Sequence, residues 1–186
     1  METSELIEII ARGEDSKNQF KENFFNADSI ASEIVAFSNS GGGRIIIGVS
    51  DKELKVTGLT KEDVSRLNQL ISNSATQSVR PPINPISENL LHPDGLITVL
   101  NIPDGISKPY MDNKGAIWVK NGSDKRKVTS REEMQRMFQS AGLIHGDEVP
   151  ANGLLVSDID FPFFENFFQK EYGEVLDKQE NSLQTL

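Results

Sequence analysis

Apolar side chains recur at helical spacing between residues 27 and 38, at Ile30, Ala31, Ile34, Val35 and Phe37. This period predicts an α-helix that Asn26 or Asp28 can cap at its N-terminus. The pattern stops at three consecutive glycines, residues 41–43, which end the helix because glycine tolerates the left-handed backbone of a final turn. Residues 44–49 are a short, isoleucine-rich run, which predicts a buried strand in which Gly48 permits a close backbone approach.

The rest of the first 145 residues alternates between helical and extended patterns. Helices are predicted over residues 5–11, 60–79 and 130–140, with Ser4, Thr60 and Ser130 as N-terminal caps. Strands are predicted over residues 17–22, 44–49, 55–57, 83–91, 96–102, 115–119 and, briefly, 126–129. The strand at 17–22 is polar apart from Phe20, which is typical of a sheet edge. The order of elements predicts an α/β (α+β) fold, a mixed β-sheet flanked by helices.

The sequence changes character at residue 146. Pro150, Asn152 and Gly153 indicate a linker, and the helical pattern that follows is unusually aromatic, with Phe161, Phe163, Phe164, Phe167 and Phe168. We therefore expect a domain over residues 1–145 and an acidic, Phe-rich extension over residues 146–186 that begins a further domain. The aromatic helix can pack on its own domain or bind a partner, including a second copy of the chain in a homo-oligomer.

Composition excludes several classes of site. The chain of 186 residues contains no cysteine, which rules out disulfides and cysteine-ligated zinc, and only His92 and His145 could supply imidazole ligands. The N-terminus is acidic and periodic, unlike a signal peptide, and no apolar stretch reaches membrane-spanning length. We expect a cytoplasmic protein with no membrane partner.

The charge is unevenly distributed along the chain. Residues 146–186 hold nine acidic residues and two lysines, so this tail contributes −7 to the net charge of −9. Residues 108–136 instead hold eight basic and four acidic residues, a balance of +4. The overall acidity therefore belongs to the tail, and the body carries a basic segment suited to a polyanionic partner.

The glycine run could in principle cradle a phosphate, as glycine-rich loops do between a strand and the N-terminus of a helix. Here the order is reversed, because the glycines follow a helix C-terminus, where free carbonyl groups carry partial negative charge. Arg44 and Ile45 also stand where a phosphate loop has Lys-Ser or Lys-Thr. This order favours a helix stop over a nucleotide-binding loop.

Five sequence motifs resemble, in order, those of the Schlafen/AlbA-like DNA-binding domain family. They are Gly13-Glu14-Asp15-Ser16 before Phe20-Lys21, Phe37-Ser38-Asn39, the run from Gly42 to Asp51, Lys108-Pro109-Tyr110, and Trp118 to Ser123. The resemblance covers roughly residues 5–142. It implies a nucleic-acid-binding domain at the N-terminus of a bacterial transcriptional regulator or helicase-related protein. Because the family has also been described as divergent ATP-binding (AAA-4-type) proteins, nucleotide binding is an alternative.

A second alternative implied by the resemblance is metal-dependent RNA cleavage, since animal Schlafen domains use three acidic residues for it. Glu14 and Asp51 occupy the first and third of these positions, so they are the candidate catalytic residues. Gln19 stands at the second position and cannot supply a negative charge to a metal. We therefore expect no cofactor, a divalent metal being needed only by a nuclease, and favour binding over catalysis.

The candidate nucleic-acid contacts are mostly basic residues, which neutralise phosphates without reading sequence. They are Lys17, Lys21, Arg44, Lys108, Lys120, Ser123, Lys125, Arg126 and Lys127. Tyr110 or Trp118 could stack on an unpaired base, although a core position is favoured for Trp118. The predicted partner is DNA or RNA, and the prediction requires these cations to converge on one face of the fold.

Overall fold

The computed structural model describes residues 3–143, 153 and 155–173. The chain divides into two compact units, residues 1–144 and 145–186. Within the described residues, no helix combines the length and apolar composition needed to cross a lipid bilayer.

The first unit contains four α-helices and ten strands in its described residues. The helices are α1 (Thr3–Arg12), α2 (Ala27–Asn39), α3 (Lys61–Asn73), which continues into a π-helical turn at Ser74–Ser78, and α4 (Arg131–Ser140). The strands are β1 (Asn18–Lys21), β2 (Gly43–Ile47), β3 (Val49–Ser50), β4 (Lys55–Val56), β5 (Val79–Arg80), β6 (Ile86–His92), β7 (Gly95–Ile102), β8 (Met111–Asp112), β9 (Trp118–Asn121) and β10 (Asp124–Lys127).

The main sheet has four strands in the order β1-β2-β7-β6. Strand β1 runs parallel to β2, whereas β7 is antiparallel to both β2 and β6, so the sheet is mixed. Side chains alternate between its two faces. Ile45 and Ile47 join the core beneath α2 and α3, while Ile46 joins Leu6 and Ile9 of α1 in a second core. The predicted fold class, a mixed sheet flanked by helices, is confirmed.

Local signals place the central helix as predicted. The side chain of Asn26 caps α2 by accepting a hydrogen bond from the Ser29 backbone N–H. The helix is buried almost all round, from Ile30 to Ser38, because the sheet, α3 and the β9–β10 hairpin all pack against it. It therefore forms the centre of the unit, and its C-terminus lies among the motifs that carry the family resemblance.

The run at residues 44–49 is not the single strand that its composition predicts. It is interrupted at Gly48, whose φ of +102° divides β2 from β3. A Cβ atom at Gly48 would stand 3.0 Å from the Leu96 carbonyl oxygen, so the close backbone approach is confirmed. After the break, β3 pairs with β4 in the predicted hairpin, Val49 opposite Val56.

The predicted strand at 115–119 lies three residues too early. Asp112 Oδ1 accepts hydrogen bonds from the backbone N–H groups of Lys114 and Ala116, which holds these residues in a turn. The strand then runs over Trp118–Asn121 and pairs with Asp124–Lys127 across a turn at Gly122. Helix α3 is also shorter than predicted, since it gives way to the π-helical turn before Pro81.

The second unit contains the predicted aromatic helix, α5 (Phe161–Tyr172). Asp160 caps this helix through a hydrogen bond from the Phe163 N–H, and Gly173 ends it with a left-handed backbone. The Phe164 and Phe168 rings lie 6.1 Å apart, whereas Phe163 and Phe167 are 69% and 49% exposed. Of the predicted linker residues, Pro150 and Asn152 lie outside the described residues.

Candidate functional site

The glycine turn ends α2 and is closed by a lysine. The carbonyl oxygen of Phe37 accepts hydrogen bonds from the N–H groups of Ser40 and Gly42, and Gly41 and Gly42 have φ of +87° and +69°. Lys17 Nζ donates to the carbonyl oxygens of Gly41 at 2.6 Å and Gly42 at 3.1 Å. A positive group thus compensates the partial negative charge of the helix C-terminus, as expected for a helix stop.

Asn39 and Ser40, immediately before this turn, tie three motif segments together. Asn39 Oδ1 accepts from the Tyr110 N–H at 2.8 Å, and Asn39 Nδ2 donates to the carbonyl oxygens of Tyr110 and Trp118. Ser40 Oγ accepts from the Lys120 N–H at 2.8 Å. These segments are distant in the sequence but adjacent in the fold, because the side chains of Asn39 and Ser40 satisfy hydrogen-bonding groups of their backbones.

The β9–β10 hairpin sorts the predicted cations onto two faces. Lys120 is paired with Lys125, Trp118 with Lys127, and Val119 with Arg126. Because paired residues of an antiparallel ladder lie on the same side, one face carries Trp118, Lys120, Lys125 and Lys127. We call this the lysine face. Arg126 lies on the opposite face, where its guanidinium group makes a two-armed ion pair with Glu133 of α4 at 2.6 and 2.9 Å.

The lysine face meets a buried acid that the sequence analysis did not select. Glu33, in the middle of α2, has a side chain only 5% exposed, and its Oε1 lies 2.7 Å from Lys125 Nζ. Gln19 Nε2 of β1 donates to the same oxygen at 3.4 Å, and Gln19 Oε1 accepts from Lys120 Nζ at 3.3 Å. The sequence did contain a signal for Glu33, because an acidic residue in a helix with apolar residues on all sides requires a cationic partner.

Lys120 is a half-buried cation of the lysine face. Its Nζ lies 4.7 Å above the centre of the Phe37 ring and donates to the carbonyl oxygen of Ser123. Burial lowers the pKa of the Lys120 ammonium group, and the carboxylates of Glu33 and Glu14 partly oppose that change. Ser123 thus supports Lys120 through its backbone, while Lys127 at the end of β10 is exposed.

Glu14, the first candidate catalytic residue, seals the edge of the main sheet. Its Oε1 accepts a hydrogen bond of 2.7 Å from the Phe20 N–H of β1. Asp15 binds the same edge two residues earlier along β1, since its Oδ1 accepts a hydrogen bond of 2.7 Å from the Asn18 N–H. Both acids satisfy backbone groups that a further strand would otherwise pair.

Asp51, the second candidate catalytic residue, lies in the exposed turn after β3. Its Oδ2 is 3.9 Å from Lys21 Nζ, a loose ion pair between β1 and the β3–β4 hairpin. Gln19, at the intermediate position, contacts Glu33 and Lys120. Among the described residues, no group of three or more His, Cys, Asp or Glu side chains could hold a metal ion.

Two predicted contacts lie away from the lysine face. Arg44 alternates with Ile45 and points to the α1 side of the sheet, where its Nη1 lies 2.7 Å from Glu5 Oε1. Lys108 pairs with Asp104 at 2.6 Å, and this pairing lowers the pKa of the Asp104 carboxyl. The structure therefore brings Lys120, Lys125 and Lys127 together, with Lys17 and Lys21 on the adjoining strand, and places Arg44, Lys108 and Arg126 elsewhere.

The two aromatic candidates for base stacking differ in exposure. Tyr110 is 3% exposed and belongs to the main core, so it cannot stack on a base. Trp118 is half-buried against the same core, as favoured, and its Nε1 donates to Asp112 Oδ2 at 2.9 Å. Lys125 Nζ lies 5.6 Å from the centre of the Trp118 ring, so one face of the indole is already covered by a cation.

The chain matches a protein family in sequence and solved structures in fold. The profile of the family "Schlafen, AlbA_2" matches residues 14–129, from the sealed sheet edge to the end of the β9–β10 hairpin. No curated protein matches the chain. Among solved structures, the DIP2311 protein from Corynebacterium diphtheriae is 19% identical with a TM-score of 0.51, and the match covers 74% of this chain and 28% of that one.

A second solved structure is the N-terminal domain of a helicase RecG-related protein from Nitrosomonas europaea. It is 20% identical with a TM-score of 0.48, over 70% of this chain and 97% of that one. The profile match covers more than half of the sequence and includes the residues that build the glycine turn and the lysine face. The chain therefore belongs to the Schlafen AlbA_2 family.

Proposed function

We propose that this domain binds nucleic acid, DNA or RNA, by contacting phosphates with the lysine face. The observation that carries the proposal is the register of the β9–β10 hairpin, which aligns Lys120, Lys125 and Lys127 on one side. Lys17 and Lys21 stand two residues before and after Gln19, so they share its side of β1, and the Gln19 side chain contacts Lys120. Five of the nine predicted contact residues thus share one region.

The buried acid supports this arrangement and does not cancel it. The Glu33 carboxylate lies within the fold and holds the Lys125 ammonium group at 2.7 Å, so the lysine is fixed in position. Lys127 is exposed, so its ammonium group is accessible to a phosphate. A strand with one paired and one exposed lysine suits a polyanion, since phosphate contacts position a nucleic acid without selecting its sequence.

We further propose that this binding serves a larger regulatory protein of transcription, as the family resemblance implies. The DIP2311 protein, in which the matched fold occupies 28% of a longer chain, is an example of this fold as one part of a larger protein. A reporter gene placed behind the promoter of the encoding gene tests this role. Its expression is measured in cells with and without the protein.

The test of binding is a titration of the full chain with labelled duplex DNA, single-stranded DNA and RNA at 50 and 200 mM salt. Binding should be detectable at the lower salt and fall steeply at the higher, because neutralised phosphates release counterions. Lys127→Glu should weaken binding to every polymer. Lys61→Glu, at the exposed start of α3, is the matched control and should leave it unchanged. No binding at 50 mM salt would refute the proposal.

The same titration separates binding from RNA cleavage. The RNA is recovered after incubation with Mg²⁺ or with EDTA and examined on a denaturing gel. Intact RNA in both samples fits a binding domain. Cleavage that requires Mg²⁺ and disappears in Asp51→Ala would instead identify a nuclease.

We also propose that α5 mediates self-association, because Phe163 and Phe167 are exposed one helical turn apart. Light scattering of the full chain should give a mass above that of the monomer. The double variant Phe163→Ser/Phe167→Ser should give the monomer mass. A monomeric wild-type chain at 100 μM would rule this out.

A further inference from the structure

A depression of about 440 Å³ lies beside the glycine turn, at the start of β2, the end of β7 and the start of β6. Its walls are the turn itself and Lys17, Arg44, Asn84, Ile86, Asn101 and Ile102. This volume falls in the range of about 300–1,000 Å³ typical of small-ligand sites. Lys17, which precedes β1, borders the depression on the side of the glycine turn.

Apolar side chains line part of the depression. Ile102 is buried at the end of β7, and Pro103 continues this surface. Ile86, the first residue of β6, is 67% exposed, so most of its side chain is in contact with water. A flat ligand that covered Ile86 would remove this apolar surface from water.

Amide groups stand next to the apolar surface. Asn101 is oriented by a hydrogen bond of 3.1 Å from its Nδ2 to Glu88 Oε1. Asn84 is exposed and also borders a second depression of about 350 Å³, which Asn68, Ser72, Thr76, Ser87 and Asn89 help to line. Amides offer both donors and acceptors, the complement of the edge of an unpaired nucleobase.

Two cations stand at the rim nearest the glycine turn. Arg44 is held by Glu5, and Lys17 Nζ sits on the carbonyl oxygens of the turn. Gly41 makes this position available, since a Cβ atom there would lie 2.8 Å from Lys17 Nζ. Because Lys17 offsets the negative end of α2, a phosphate can approach the turn without facing bare carbonyl groups.

We infer that this depression binds a single nucleotide, with the base against Ile86 and Pro103, its edge at Asn84 and Asn101, and the phosphate near Lys17. The inference rests on the proposed nucleic-acid binding and adds to it a preference for unpaired strands. In a duplex the base edges are paired and the base faces are stacked, so neither is available to this surface. The nucleotide can belong to a single strand or be free in solution.

The test compares the double variant Asn84→Ala/Ile86→Ala with the wild-type full chain, using a labelled 12-nucleotide single strand, the matching duplex and free AMP. Both side chains are exposed, so the variant should keep its fold. Loss of the base contacts should weaken single-strand binding about tenfold and leave duplex binding unchanged. Leu91→Ala, on the same strand and 82% exposed but outside the depression, is the matched control and should bind like wild type.

The outcomes separate this inference from the proposed function. Variant-sensitive binding of the single strand, of AMP or of both supports the inference and identifies the source of the nucleotide. Equal binding of all three probes by variant and wild type overturns it. If Lys127→Glu weakens binding in that case, the lysine face still binds nucleic acid. If Lys127→Glu also has no effect, the proposed function fails as well.

Discussion

The two edges of the main sheet are finished in different ways. At the β1 edge, Glu14 and Asp15 accept hydrogen bonds from the backbone N–H groups of Phe20 and Asn18. Strand β6 at the other edge is longer, with Ile86 and Leu91 exposed, and no strand among the described residues pairs with its outer side. Polar side chains close one edge, whereas the other remains open to solvent.

The closed edge also shows that one acidic residue, Glu14, has a structural role besides the catalytic role that the resemblance implies. Glu14 is a candidate catalytic residue by resemblance, yet its observed contact is with the backbone of a neighbouring strand. The cations line up beside this closed edge, on the lysine face. The closed edge thus lies beside the face that we propose for binding, and the open edge contributes surface without contributing much stability.

Lys125→Ala, which removes the partner of Glu33 next to β1, should produce the largest change in stability. It leaves the Glu33 carboxylate buried without its ammonium partner, so the free energy of unfolding should fall by about 3 kcal/mol. Urea denaturation measures this loss. The double variant Lys125→Met/Glu33→Leu, which removes both charges, should recover most of it. A loss below about 1 kcal/mol in the single variant would mean that the pair is effectively solvated.

Glu14→Ala should have the next largest effect. Without the carboxylate, the Phe20 N–H loses its acceptor, and the free energy of unfolding should fall by about 1–2 kcal/mol. Glu14→Gln keeps an oxygen at the same position and should lose less than half of that amount. Equal losses in the two variants would show that the negative charge matters, and the hydrogen bond to the sheet edge does not.

Leu91→Ser should have the smallest effect on stability, because the side chain on the open edge is 82% exposed. We expect the free energy of unfolding to change by no more than about 0.5 kcal/mol. Thermal or urea denaturation is again sufficient. A loss comparable with that of Glu14→Ala would mean that the β6 edge is covered in solution.

Much of this architecture could be predicted from local sequence. The cap at Asn26, the stop at Gly41 and Gly42, and the hairpin turn at Gly122 each follow from the conformational preferences of one or two residues. The strand at 115–119 was misplaced because the side chain of Asp112 holds the following residues in a turn. That competition between side chain and backbone leaves little trace in hydrophobic periodicity.

The candidate site was less accessible to prediction, since it depends on contacts between distant segments. Nothing in the local sequence places Lys125 beside Glu33, which is 92 residues away. Alternation within β10 does predict that Lys125 and Lys127 share a face and that Arg126 does not, but only once the strand boundaries are known. Arg44 and Lys108 resemble the other candidates in sequence, and only the fold directs them to Glu5 and Asp104.

The most direct test of the account is the salt dependence of binding in matched lysine variants. The affinity of the full chain for one nucleic acid is measured from 50 to 200 mM salt for wild type, Lys127→Ala and Lys61→Ala. If the lysine face contacts phosphates, the slope of log affinity against log salt should become shallower by about 1 in Lys127→Ala and stay the same in Lys61→Ala. Identical slopes in all three proteins would contradict the account.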